Sequence, residues 1–338
     1  MRHQRKSGRP TQRSIAAHLG LSVATVSRAL SGDPLIASET RKLVVKTATE
    51  LGYVPDRAAQ RLRTGRTNVI ALVLPSHDEI LGFGNSLLRG VSTVLGHSQY
   101  HLVVMPTFDS EAADATVRRI VENGLADGVL LSRTEPNDLR IRHLIENDFP
   151  FVSHGRTELA TPHPYVDFDN FEFARRSVHK LAAQGAGRLL ILLPSAHLTF
   201  HHHLWRGFVT GAAETRTACE QLDTVNLDST PEAIEQAIRQ RFDRPDRPDG
   251  IVLPGDVSAL AALAALTDIG VVPGRDVHIV TKQTSGAFDF VRPRINSAFE
   301  DIASAGALMA RYLLRRIDGT AATDLQYVQN IEERAENA

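Results

Sequence analysis

Three short stretches hold residue types at spacings that could do chemistry. "HLTFHHHLW", residues 197–205, sets His197 and His201 four apart beside a histidine triplet, a spacing open to zinc or nickel. No paired cysteine and no nearby carboxylate accompanies it, and a triplet projects in three directions. The expectation is therefore a histidine-lined pocket loop and no metal site. "GFGNSL", residues 82–87, follows an apolar run and resembles a dinucleotide fingerprint, but Leu87 stands where the third glycine belongs. Asp109 also comes too late to meet a ribose, so no nicotinamide cofactor is expected. The third stretch, "LSVATVSRAL", residues 21–30, has short hydroxyls, two small apolar residues and one arginine. A helix with that outer face fits the major groove of DNA. Ser22, Thr25 and Ser27 suit phosphate contacts, Val23 and Ala24 can meet a thymine methyl, and Arg28 can fork onto guanine N7 and O6. No G-x-S-x-G and no P-loop occurs, and no enzyme is expected.

The elements around that helix read as a head. Residues 11–20 form a helix with Thr11 as N-cap, Ile15, Ala16 and Leu19 inward, and Gly20 as left-handed cap. Ser22 caps a second helix over 23–30, with Val26 and Leu30 inward. A Gly-containing turn between two short helices makes a helix-turn-helix. A third helix is expected over 38–51, with Leu43, Val44, Thr47, Ala48 and Leu51 inward. After a proline turn, Asp56 caps a short helical turn over 57–62, which is too short to be stable alone and suited to folding on DNA, with Leu62 read either as a minor-groove wedge or as packing on the following domain.

Charge agrees with this division. Residues 1–66 carry 13 Lys+Arg against 4 Asp+Glu, while the whole 338-residue chain has a net charge of −1. A basic head on an acidic body suggests that the head meets a polyanion. One cysteine, Cys219, excludes an internal disulfide framework and suggests a reducing compartment. The basic start has no apolar run behind it, and the longest apolar runs are far too short for a bilayer, so a cytoplasmic protein with no membrane contact is expected.

From Asn68 onward, apolar runs alternate with helix-period segments. "NVIALVLP", "HLVVMPTF", "GVLLS", "PFVSHG", "RLLILLP", "LDTVNL", "GIVLPGD" and "DVHIVTK" read as strands. Helices are expected near 85–97, 111–123, 137–147, 170–184, 231–242 and 256–269, with another over 302–313. This alternation predicts parallel sheets covered on both faces, split into two lobes because about 270 residues exceed one open sheet. Ligands in such sheets bind at the carboxyl ends of strands. That singles out Ser76, Asp78 and Glu79, then His154 and Arg156, Asp169, the loop 195–206 with His203 and Trp205, Asp256, and Lys282 with Gln283. Trp205 is read either as a sugar-stacking face or as core.

The head, hinge and first core strand together, "RSIAAHLGLSVATVSRALSG…YVPDRAAQRLRTGRTNVIALVLP", resemble the lac repressor/gal repressor family of transcription regulators. The resemblance implies a helix-turn-helix head over 8–55, a hinge helix and linker over 56–67, and a two-lobed periplasmic-binding-protein-like core over 68–338. It splits that core into an N-lobe (68–164 plus 296–330) and a C-lobe (165–295), joined by three crossovers. It implies that Thr11, Gln12, Ser22, Thr25, Ser27, Ser31, Thr40, Tyr53 and Asp56 lie near phosphates. It puts Val23, Ala24 and Arg28 at base edges, and Gln60 and Leu62 in the minor groove. A homodimer on a pseudo-palindromic operator follows, acting as a repressor under allosteric control of a small effector, most naturally a carbohydrate.

The core departs from the family. Leu204 stands where many members carry an arginine, Gly255 where an asparagine is common, Gln283 and His154 where aspartates are usual. Two other readings stay open: an activator or ligand-independent DNA binder of the same fold, and a solute-binding protein.

Overall fold

The computed structural model describes residues 10–53, 65–75, 80–107, 112–292 and 294–334. Contacts divide the chain into two units, Met1–Thr67 and Asn68–Ala338.

Among its described residues the first unit holds three helices, α1 (Gln12–Leu19), α2 (Val23–Leu30) and α3 (Ser38–Glu50). Each start has a local cause. Thr11 and Ser14 cap α1 reciprocally, Gly20 closes it at φ 65°, and Ser22 caps α2 by accepting from the Thr25 N–H. Ile15, Ala16, Val26, Ala29, Val44 and Ala48 make the core, with Leu19, Leu30, Leu51 and Tyr53 against it. Leu43 does not join them: it is exposed, as is Val45. Val44, Thr47 and Ala48 hold the inward face, because an α-helical face repeats at three and four residues.

The second unit holds two six-stranded sheets. In chain order the first lobe contains β1 (Val69–Pro75), α4 (Ile80–Leu95), β2 (His101–Thr107), α5 (Ala115–Glu122), β3 (Gly128–Leu131), α6 (Leu139–Glu146), β4 (Phe151–His154) and β5 (Tyr165–Phe168). The second contains α7 (Asn170–Ala183), β6 (Arg188–Ile191), α8 (Thr199–Thr215), β7 (Ala218–Gln221), α9 (Pro231–Phe242), β8 (Gly250–Leu253), α10 (Asp256–Asp268), β9 (His278–Gln283) and β10 (Asn296–Phe299). The chain then returns through α11 (Ile302–Ile317) and β11 (Gln326–Gln329) to the first lobe, and through β12 (Glu332–Arg334) to the second.

The sheet orders are β11-β5-β4-β3-β1-β2 and β12-β10-β9-β8-β6-β7. Pairing is parallel except for β10 with β12. Both faces of the inner strands are covered, which is why they read as continuous apolar runs. In β1, Ile70 and Leu72 face α4 and α11, while Ala71 and Val73 face α5 and α6. Two glycines set helix spacing. A Cβ on Gly90 of α4 would lie 1.9 Å from the Ala303 carbonyl oxygen, and one on Gly207 of α8 would lie 2.0 Å from that of Phe171.

Several expectations are corrected. The expected lobe boundaries shift: Tyr165–Phe168 pairs with β4 and so belongs to the first sheet, and Asn296–Phe299 pairs with β9 and belongs to the second. Neither four-residue strand stands out in sequence, and hydrogen-bond partners alone decide their sheet. The strand expected at "LDTVNL" is instead Ala218–Gln221, paired with β6. Leu222 and Leu227 are buried anchors of the loop that follows. The loop expected at 195–206 is largely helix, because Leu204, Phe208 and Ala212 form the buried stripe of α8.

Candidate functional site

In the head, the capping hydroxyls of Thr11 and Ser22 stand at the starts of two helices, where backbone N–H groups favour anions. Val23 is 43% exposed and Ala24 exposed, on the outer face of α2, and Ser27 is half-buried. The Ser31 hydroxyl donates to the Arg28 carbonyl at 3.0 Å. Gln12, Thr40 and Tyr53 are half-buried at the head surface. Arg28 is exposed, and its Nε donates to Asp33 Oδ2 at 2.7 Å. Asp56, Gln60 and Leu62, expected at the hinge, lie outside the described residues, as do Ser76, Asp78 and Glu79 of the core.

Between the lobes lies a cavity with a free volume of about 110 Å³, a concave site of the kind that takes small ligands. The structure brings five of the expected core residues to its wall: His154, Arg156, His203, Asp256 and Lys282. It places three elsewhere. Asp169 caps α7, accepting from the Glu172 N–H at 3.0 Å. Trp205 packs on Phe208 at 6.1 Å, in the core of the second lobe. Gln283 is buried in the second sheet, donating from Nε2 to the Ser297 hydroxyl at 3.0 Å. Of the histidine stretch, His201 has Nδ1 2.7 Å from the Pro194 carbonyl oxygen. Among the described residues no group of three His, Cys, Asp or Glu is placed to hold a metal.

The wall also carries Thr199, within the singled-out stretch 195–206, and residues that sequence reading passed over, among them Arg133, Asp167, Asn170 and Glu300. Asp167 lies in β5 and Glu300 follows β10, the two strands without a sequence signal. Arg133 and Thr134 follow a strand that was legible, so the strand-end rule already pointed at them.

The charges pair off. Lys282 Nζ lies 2.5 Å from Glu300 Oε2, with side chains only 7% and 4% exposed, and donates to Asn170 Oδ1 at 2.9 Å. Its ammonium also sits 5.0 Å from the centre of the Phe168 ring. Arg156 Nε donates to Asp167 Oδ2 at 2.6 Å. Arg133 Nη2 donates to Asp228 Oδ2 at 2.6 Å, and the Ser195 hydroxyl donates to the same oxygen. Asp256 accepts from the Thr284 N–H and hydroxyl. Lone buried charges are costly, and each of these cations has a carboxylate to offset that cost.

Both imidazoles of the wall are held neutral. Burial pushes His154 below the ordinary histidine range, against the pull of Glu300 and Asp167. Burial likewise lowers His203. Three buried polar atoms of wall residues make no hydrogen bond among the described residues: Thr199 Oγ1, His203 Nδ1 and His154 Nε2, which lies 3.5 Å from Glu300 Oε1. Phe83 and Phe200 add apolar faces. The wall can therefore bond hydroxyls through acceptors and neutral donors while apolar faces cover C–H surface.

Residues 11–56 match the family described as bacterial regulatory proteins, lacI family, and residues 178–334 match the periplasmic binding protein-like domain. The HTH-type transcriptional regulator AglR of Rhizobium meliloti is 31% identical over 312 residues, covering 89% of this chain and 86% of AglR. The chain belongs to the lacI family. As a lacI-family protein it is a sequence-specific DNA-binding transcription regulator. A solved complex of the transcriptional regulator CelR with cellobiose is 25% identical, with a TM-score of 0.68 over 97% of this chain and 99% of that one. The lac repressor dimer bound to operator shares the fold, with a TM-score of 0.82 at 18% identity, covering 97% of this chain and 98% of that one. The relatives are transcription regulators, and no described helix of this lacI-family chain is long and apolar enough to cross a membrane.

Proposed function

We propose that this regulator is a cytoplasmic repressor, without enzymatic activity, that binds a pseudo-palindromic operator as a homodimer and responds to a neutral sugar in the inter-lobe cavity. One observation carries the effector class. His154, Thr199 and His203 line one cavity, each with a buried polar atom that makes no hydrogen bond among the described residues, and the wall's Arg133, Arg156 and Lys282 are each matched by a carboxylate. A phosphate or carboxylate ligand needs a cation to spare. A neutral polyol needs donors, acceptors and an apolar face, which this wall has. The cellobiose complex of CelR supports the same class.

On the DNA side, Val23, Ala24 and Arg28 read base edges, while Thr11, Gln12, Ser22, Thr25, Ser27, Ser31, Thr40 and Tyr53 meet or approach phosphates. The exposure of Val23 and Arg28 on α2 and the two helix starts support this reading. By linkage, an inducing sugar must bind better to the DNA-released state, and a corepressing one to the operator-bound state.

The test is a thermal-shift screen of the full-length protein against neutral sugars, sugar acids and sugar phosphates, with and without an operator selected from random duplexes. A neutral sugar that stabilises the free protein and loosens the operator complex is the expected hit. A hit confined to sugar phosphates or sugar acids overturns the neutral class.

A further inference from the structure

Asp33 lies in the turn after α2, three residues beyond Leu30. Its two carboxylate oxygens are committed to different partners. Oδ1 accepts from the Leu35 N–H at 2.9 Å, which holds the carboxylate in place as a local turn. Oδ2 accepts from Arg28 Nε at 2.7 Å. The Asp33 N–H in turn donates to the Arg28 carbonyl at 3.1 Å, so backbone and side chain both tie this turn to Arg28. The guanidinium keeps the carboxyl below its usual range, and Asp33 is charged at neutral pH.

The consequence lies in what remains free on the guanidinium. An arginine can fork onto guanine side-on, through Nε and one Nη, or end-on, through both Nη groups. With Nε engaged by Asp33, only the end-on fork is left. The grip also restricts a long side chain that would otherwise sample many rotamers, some of them reaching phosphates. A negative charge beside DNA repels every duplex alike. It is compensated only where Arg28 finds the base it fits.

We propose that Asp33 is a specificity-determining positioning residue, orienting Arg28 for one base and discouraging its use as a general phosphate contact. This rests on the reading of Arg28 as a base contact.

The test uses the protein and three kinds of duplex: the selected operator, a series with each of its guanines replaced in turn, and an unrelated sequence. Asp33→Asn keeps an Oδ1 acceptor for Leu35 and removes the charge. The expected result is about a tenfold loss of preference at one guanine position, with binding to the unrelated duplex unchanged or tighter. On an Arg28→Ala background, Asp33→Asn should change base preference no further. Equal weakening on all three kinds of duplex makes Asp33 merely structural and overturns the inference, as does an unchanged preference. Should the Asn variant fail to fold, Asp33→Ser, which can also cap Leu35, is read by the same two outcomes. If Arg28→Ala alone leaves every base preference intact, the base-contact reading fails first. If Arg28→Ala abolishes one preference and the Asp33 variant does not, only the role of Asp33 fails.

Discussion

Arg133 of the first lobe and Asp228 of the second are joined across the cavity, Nη2 to Oδ2 at 2.6 Å. The bridge starts from a strained backbone. Arg133 has φ 55°, a left-handed conformation unusual for a residue with a Cβ. Its carbonyl accepts from Arg140 Nη2 at 2.8 Å, and Arg140 is itself held by the buried carboxylate of Asp138. Nearby, the Thr199 N–H donates to the Thr134 carbonyl at 2.9 Å, a second link between lobes.

Cutting the Arg133 bridge should loosen the lobes. Asp228→Asn is expected to cost about 1.5–3 kcal/mol, the usual range for a hydrogen bond to a charged group. The core melting transition should fall by a few degrees, and small-angle scattering should show a more open core. Arg133→Gly should melt higher than Arg133→Ala by about 1 kcal/mol, since glycine relieves the left-handed backbone.

Breaking one side of the buried Lys282–Glu300 pair should be more severe. Glu300→Gln leaves an ammonium inside the cavity wall with Asn170 as its neutral partner. The expected loss is about 3–5 kcal/mol, read from denaturant unfolding of the core. The double variant Lys282→Met, Glu300→Gln should recover most of it, because no lone charge remains.

Thr199→Val separates ligand binding from stability. The Thr199 hydroxyl has no hydrogen-bond partner among the described residues, so its removal should leave the unliganded melting temperature unchanged or slightly raised. Affinity for the sugar found by screening should fall about tenfold, near 1.4 kcal/mol by calorimetry. Equal affinity in both proteins places the hydroxyl outside the ligand's reach.

Mild acidification should destabilise the core through its buried histidines. Burial lowers His154, His163, His201 and His203 in the folded protein. Between those lowered values and the ordinary one near 6.5, the unfolded chain binds more protons, so stability rises with pH there and falls as pH drops below about 6.5. His154 faces Glu300, Asp167 and Lys282, and desolvation outweighs the two carboxylates. Melting curves from pH 7.5 to 5 should show this slope, and His154→Gln should flatten it.

Much was legible in the sequence because it follows from local chemistry. Thr11, Gly20 and Ser22 set the head helices through their own caps and a left-handed turn. The short apolar runs at Val69–Pro75 and Gly250–Leu253, rich in branched residues, read as strands buried on both faces. His154, Arg156, Asp256 and Lys282 were found because strand ends carry sites in open parallel sheets. What tertiary structure alone decided was long-range pairing. β5 and β10 are four residues each, and only their hydrogen-bond neighbours place Asp167 and Glu300 at the cavity. Trp205 and Gln283 point into the second lobe because packing against Phe208 and Ser297 outweighs exposure to the cleft. The partners Arg133–Asp228 and Lys282–Glu300 are far apart in sequence. A charge has no local signature of its partner, and the partner alone determines whether it binds a ligand or closes the wall.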